Sequence, residues 1–152
     1  DGLLNSMILF FVSKKEDDGN YHFRYWEKHN FRPRKKNHYR GNVYVLISGP
    51  TFSASTLFAG AVKGQPNVTL IGEEAGGGWY GNSGIRIPDV VLPHTKMKVR
   101  LPLFRIVQYN HVHKDGRGVM PDIFVPPRVE NVRNNVDGKM KKVLEIIQTT
   151  KK

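Results

Sequence analysis

Between Val43 and Gly72 the hydrophobic period of the chain changes twice, and few architectures accept that change. Val43-Tyr44-Val45-Leu46-Ile47 is a continuous β-branched and apolar run, the pattern of a strand covered on both faces, as in a parallel sheet. After Ser48-Gly49-Pro50-Thr51 the spacing becomes helical. Ala54, Leu57, Phe58, Ala61 and Val62 mark one face of a helix ending at Gly64. Asn67 to Gly72 then reads as a second buried strand. Strand, crossover helix and strand in this order predict a right-handed βαβ unit within an α/β fold. A crossover helix with one apolar stripe leaves sheet to be covered, and segments 3–13 and 138–149 have the helical periodicity to cover it.

At 152 residues, 39% hydrophobic and 24% charged, the chain has the size and composition of one globular domain, 1–152. The stripe Leu3, Leu4, Met7, Ile8, Phe11 predicts the helix over 3–13, closed by Ser13-Lys14-Lys15. Glu16 to Asn20 is a turn, and Tyr21 to Trp26 alternates as a half-exposed strand. Strands are expected at 85–87, 90–92, 96–108 and 122–125, and a last helix capped by Asp137 with Met140, Val143, Leu144 and Ile147 inward. A start at Asp1 that leads straight into a helix pattern reads as a cut within a longer protein, so any signal sequence would lie upstream.

The absence of cysteine excludes disulfides, thiolate catalysis and cysteine-ligated zinc. No apolar stretch approaches the roughly 18 residues that cross a bilayer. The net charge of +11 is concentrated between Arg24 and Arg40, where seven Lys/Arg face one acid, Glu27. With Tyr25, Trp26 and Phe31 this stretch could stack and neutralise a nucleic acid. An unpatterned charge run is more simply a solvated connection, and no nucleic acid is expected as partner. Gly76-Gly77-Gly78 lacks the helix and the Lys-Ser/Thr of a phosphate loop and reads instead as a flexible wall of a cleft. His111 and His113, at i, i+2, have no third histidine beside them to complete a metal site.

Ser53 stands where the exit turn of the first buried strand becomes a helix. Ligands bind at the carboxyl ends of strands in open α/β sheets, and a serine there lies beside the unpaired N–H groups and positive dipole end of the helix. That place suits a nucleophile with an oxyanion site at hand, but from position alone an ordinary N-cap is the simpler reading.

Three ordered blocks bear on that choice: Asn42 to Ser55 (NVYVLISGPTFSAS), Leu70 to Gly77 (LIGEEAGG) and Gly118 to Ile123 (GVMPDI). They resemble the signature blocks of the C-terminal processing (tail-specific) serine peptidases, specifically the lysine-less branch similar to the tricorn core. The resemblance implies an α/β, crotonase/ClpP-like core with Ser53 as nucleophile and the Ala54 N–H as an oxyanion donor. Members with a general-base lysine carry it after the second strand, where this chain reads Ala75-Gly76-Gly77-Gly78-Trp79. In the branch it resembles, a histidine supplies the base and a glycine-rich loop the second oxyanion donor, both expected upstream of Asp1. Asp115 is the nearest match to the acid that orients that histidine, and it also fits a simple Asp-Gly turn.

The resemblance further implies peptide-bond hydrolysis with no cofactor or metal. The implied partners are a peptide or unfolded protein substrate and the remainder of its own polypeptide. It implies a periplasmic or cell-envelope location, and a 152-residue piece that is inactive alone. Two other classes fit the same residues: an inactive ligand- or peptide-binding relative that keeps the core without the base, and a basic nucleic-acid-binding domain.

Overall fold

The computed structural model describes residues 7, 9–23, 25, 27, 36–37, 39–109 and 111–150. Residue contacts divide the chain into two compact units, Asp1–Tyr39 and Arg40–Lys152.

In the first unit residues 7 and 9–12 are helical, while residues 3–6 and 8 of the expected 3–13 helix lie outside the described residues. Ser13-Lys14-Lys15 does not close the helix as its pattern suggested. It forms strand β1 (Ser13–Lys15), antiparallel to β2 (Tyr21–Phe23) with Lys14 opposite His22. The strand expected to reach Trp26 stops at Phe23, and Tyr25 and Glu27 are helical. The turn at 16–20 is built as its sequence suggests, with the Asp18 carboxylate accepting the Asn20 N–H at 2.9 Å. His22 links two acids: its Nε2 lies 3.0 Å from Asp18 Oδ2 and its Nδ1 meets Glu27 Oε1. Of the basic stretch, Lys36, Tyr39 and Arg40 are exposed, and residues 28–35 and 38 lie outside the described residues.

The second unit contains the βαβ motif: β3 (Val43–Ile47), α1 (Ala54–Val62) and β4 (Val68–Gly72). β3 and β4 are parallel, in register from Val43 opposite Val68 to Ile47 opposite Gly72. β9 (Ile123–Phe124) adds in parallel on the far edge of β4, giving the order β3-β4-β9. Full burial therefore falls on the middle strand, where Leu70 and Ile71 are 0% exposed, and in β3 only on Ile47. The expectation that both strands are dry on both faces holds only for Leu70 to Gly72 of β4, Val68 and Thr69 being half-buried. The core gathers Ile47, Ala59, Leu70, Ala75 and Val119, with Val45, Val62, Val68 and Trp79 packed against it.

The buried face of α1 differs from the expected stripe. Thr56 and Ala59 are buried, whereas Ala54 and Ala61 are exposed and Phe58 is 55% exposed. Small residues permit the close approach seen here: a Cβ on Gly60 would lie 2.5 Å from Gln108 Oε1 and 3.1 Å from the Trp79 ring. The Gln108 side-chain amide in turn donates to Leu57 O at 2.7 Å.

Two further short antiparallel pairs form outside that sheet: β5 (Gly81–Asn82) with β8 (Ile106–Val107), and β6 (Asp89–Val91) with β7 (Lys98–Arg100). The run 96–108 is thus two short strands, and 85–87 is not a strand. A helix that no apolar period in the sequence announces, α2 (Val129–Arg133), precedes α3 (Gly138–Thr150). Asp137 caps α3, accepting the Lys139 and Met140 N–H groups at 2.9 and 3.1 Å. α3 packs on β3 and β4 and buries Val143, but Met140 and Leu144 are 47% and 51% exposed rather than inward. No helix among the described residues is long and apolar enough to cross a membrane.

Candidate active site

The exit turn of β3 is tied by short-range bonds. Thr51 N–H donates to Ser48 O at 2.7 Å, and Ser48 N–H donates to Thr51 Oγ1 at 3.0 Å. The chain then reverses into α1 through Ser53, held at φ 52° and ψ −120°. A non-glycine residue with positive φ costs about 1–3 kcal/mol and persists only where its surroundings over-determine it. The Ser53 side chain makes no capping hydrogen bond and the residue is exposed, so the hydroxyl does not do the work of an N-cap. A sharp, strained strand-to-helix turn that exposes a serine hydroxyl is also the device of the nucleophile elbow. Ala54 opens α1, so its N–H belongs to the first turn, whose amides have no intrahelical acceptor.

The glycine loop after β4 is packed against this turn rather than standing free as a cleft wall. Gly77 N–H donates to Thr51 O at 3.1 Å, and Thr56 Oγ1 donates to the same carbonyl at 2.9 Å. A Cβ on Gly77 would stand 2.3 Å from Thr56 Oγ1 and 3.3 Å from Ser53 N, and one on Gly76 would stand 2.1 Å from Gly49 O. Only glycine fits so close a backbone approach. On the hydroxyl side, a Cβ on Gly84 would lie 3.3 Å from Ser53 Oγ, and Gly84 is itself held by its N–H to Asn82 Oδ1 at 2.9 Å. An open cavity of about 530 Å³ lies beside the turn, lined by Val45, Ile47, Pro50, Thr51, Ala54 and Phe58 among others. Ser53 itself does not line it.

Asp115 sits on the surface in an Asp-Gly turn with Gly116 at φ 80°. Its Oδ1 accepts the Arg117 N–H at 2.9 Å, and no bond joins it to Ser53 among the described residues. Lys63 is held by Asp122. His94, His111 and His113 are exposed, with the His111 ring edge-on to Tyr109 at 4.8 Å. Among the described residues no imidazole, amine or carboxylate is bonded to the Ser53 hydroxyl.

The third sequence block is structural. Asp122 N–H donates to Leu70 O and Asp122 Oδ2 accepts Leu70 N–H, both at 2.8 Å, which locks that block onto β4. Partial burial pushes the Asp122 carboxyl up, but the Lys63 ammonium and the Leu70 N–H outweigh it and hold it below the usual carboxylate range.

The sequence pattern gives Glu74 no role of its own. Its Oε1 accepts Gly118 N–H and its Oε2 pairs with Arg117 Nη2, each at 2.8 Å. The available signal was two adjacent acids, Glu73 and Glu74, at the end of a dry strand, where a carboxylate needs partners. Glu73 has its own, Lys139, at 2.9 Å.

None of the curated proteins matches the chain. Among solved structures, a candidate peptidase from Parabacteroides merdae superposes with a TM-score of 0.58 at 23% identity, over 75% of this chain and 34% of that one. At that identity the likeness is one of fold, and it agrees with an α/β, crotonase/ClpP-like core. The chain spans about a third of that relative's length. The sequence profile of peptidase family S41, the C-terminal processing peptidases, matches residues 2–125, and the chain belongs to that family.

Proposed function

We propose that this chain carries the nucleophile of a tail-specific serine endopeptidase, with Ser53 as that nucleophile. The observation that carries the reading is the strained Ser53 turn, which presents a hydroxyl unused in capping at the start of α1. Ser53 Oγ attacks the scissile carbonyl and loses its proton to a base, while the Ala54 N–H receives the developing oxyanion. The tetrahedral adduct collapses to an acyl-enzyme, the leaving amine takes the proton, and water then cleaves the ester by the same steps. The base is a histidine from a part of the protein outside these 152 residues. Asp115 orients it through Oδ2, since Oδ1 is occupied by Arg117 N–H. The substrate is a peptide or unfolded protein met in the periplasm or cell envelope, and the chemistry calls for no cofactor.

Proteolysis by the intact protein tests this. Ser53→Ala is expected to lower kcat by about a thousandfold or more, with the fold retained. Undiminished cleavage by that variant would reduce Ser53 to the start of a helix.

A further inference from the structure

We infer that Glu74 is a positioning residue of this site: its carboxylate locks the segment Arg117 to Val119 onto the glycine loop that seats the Ser53 turn. The inference rests on the reading of Ser53 as nucleophile for its catalytic consequence. Its mechanical content stands on contacts alone.

Those contacts form one continuous line. Gly118 is buried, and a Cβ there would lie 1.7 Å from Ala75 O, so the two backbones touch with no side chain between them. Ala75 N–H donates to Val119 O at 3.0 Å and Trp79 N–H to Arg117 O at 2.9 Å, with Gly78 and Gly118 bridged between them. The buried Gly118 N–H needs an acceptor, and Glu74 Oε1 supplies it at 2.8 Å while Oε2 holds the Arg117 guanidinium at 2.8 Å. On its other side the loop meets the elbow through Gly77 N–H to Thr51 O, and Gly77 stands too close to Thr56 and Ser53 for any larger residue. Glu74 therefore sets where the loop lies, and the loop sets where Thr51 and Ser53 lie. A glutamate suits the task because two donors from adjacent residues converge on its two oxygens, and one of them is a cation. A residue that acts through such a seat changes reaction geometry without touching substrate, and small misplacements are costly to rate.

The test compares Glu74→Ala with Glu74→Gln in the intact protein. The readouts are the rate at which a fluorophosphonate probe labels Ser53, and amide hydrogen exchange at Gly77 and Gly118, both well below each variant's unfolding temperature. Glu74→Gln keeps an acceptor for Gly118 N–H and is expected to stay within about threefold of the parent labelling rate. Glu74→Ala is expected to label at least about tenfold more slowly while folded, with faster exchange at both glycines. A merely structural role would lower the unfolding temperature and leave labelling of the folded protein unchanged, and that result overturns the proposal. Should the parent Ser53 fail to label, the nucleophile reading fails, and exchange at Gly77 then decides the tether: acceleration in Glu74→Ala upholds it and unchanged protection overturns it.

Discussion

At φ 52° and ψ −120°, Ser53 takes a backbone conformation that only glycine adopts without strain, and its side chain returns no capping bond. The strain is held in place by neighbours: Thr56 and Gly77 both donate to the Thr51 carbonyl just before it. Ser53→Gly should therefore stabilise the chain by about 1 kcal/mol, the relief of strain exceeding the extra unfolded-state freedom of glycine. Ser53→Ala should change stability by less than about 0.5 kcal/mol. Thermal unfolding of the two variants measures both. A loss of about 1 kcal/mol in Ser53→Ala would show the hydroxyl capping the helix after all.

Elements differ in how far the sequence exposes them. The βαβ unit is legible because its hydrophobic period changes where its structure does, and Asp137 marks the start of α3 because its carboxylate caps it. The face of α1 is not legible in the same way. Counting large apolar residues points to Phe58, whereas the buried side is chosen by small ones, Thr56 and Ala59, beside a glycine that lets Trp79 close in. Two-residue strands such as β5 and β8 depend on a distant partner and leave no local period. At the candidate site, the place of Ser53 between strand and helix is readable, but the contacts of Glu74 are not, since its partners Arg117 and Gly118 lie 43 and 44 residues on. The β1–β2 hairpin holds a further consequence. Hydrogen bonds to Asp18 and then Glu27 raise the His22 pKa above its ordinary 6.5, and bonds from Asn20 and His22 draw Asp18 down to about 2. The His22 contribution is complete below pH 6.5 and fades as pH rises through its raised value; that of Asp18 is complete above pH 3.8 and fades as pH falls toward 2. The hairpin should thus be held best between about pH 4 and 6.5. In an NMR titration His22 should titrate above 6.5 and move back toward it in Asp18→Asn. An unshifted His22 in the parent would dismiss the clasp.

For the whole molecule, the absence of any base bonded to Ser53 among the described residues sets the expectation. The intact protein should label with fluorophosphonate at least about a hundredfold faster than the 152-residue chain, the scale of a positioned general base. Equal rates would mean that one of the chain's own histidines reaches the serine. The strand order has a different bearing. Among the described residues β3 ends the three-strand sheet, and its sequence Val-Tyr-Val-Leu-Ile carries neither a charge nor a proline. Such an edge is a template for any extended chain that meets it, and natural sheets guard theirs with lysine, bulges or a covering element. Left without anything to cover that edge, this polypeptide has a built-in route to edge-to-edge aggregation, seated in the five residues of the strand that leads into the Ser53 turn.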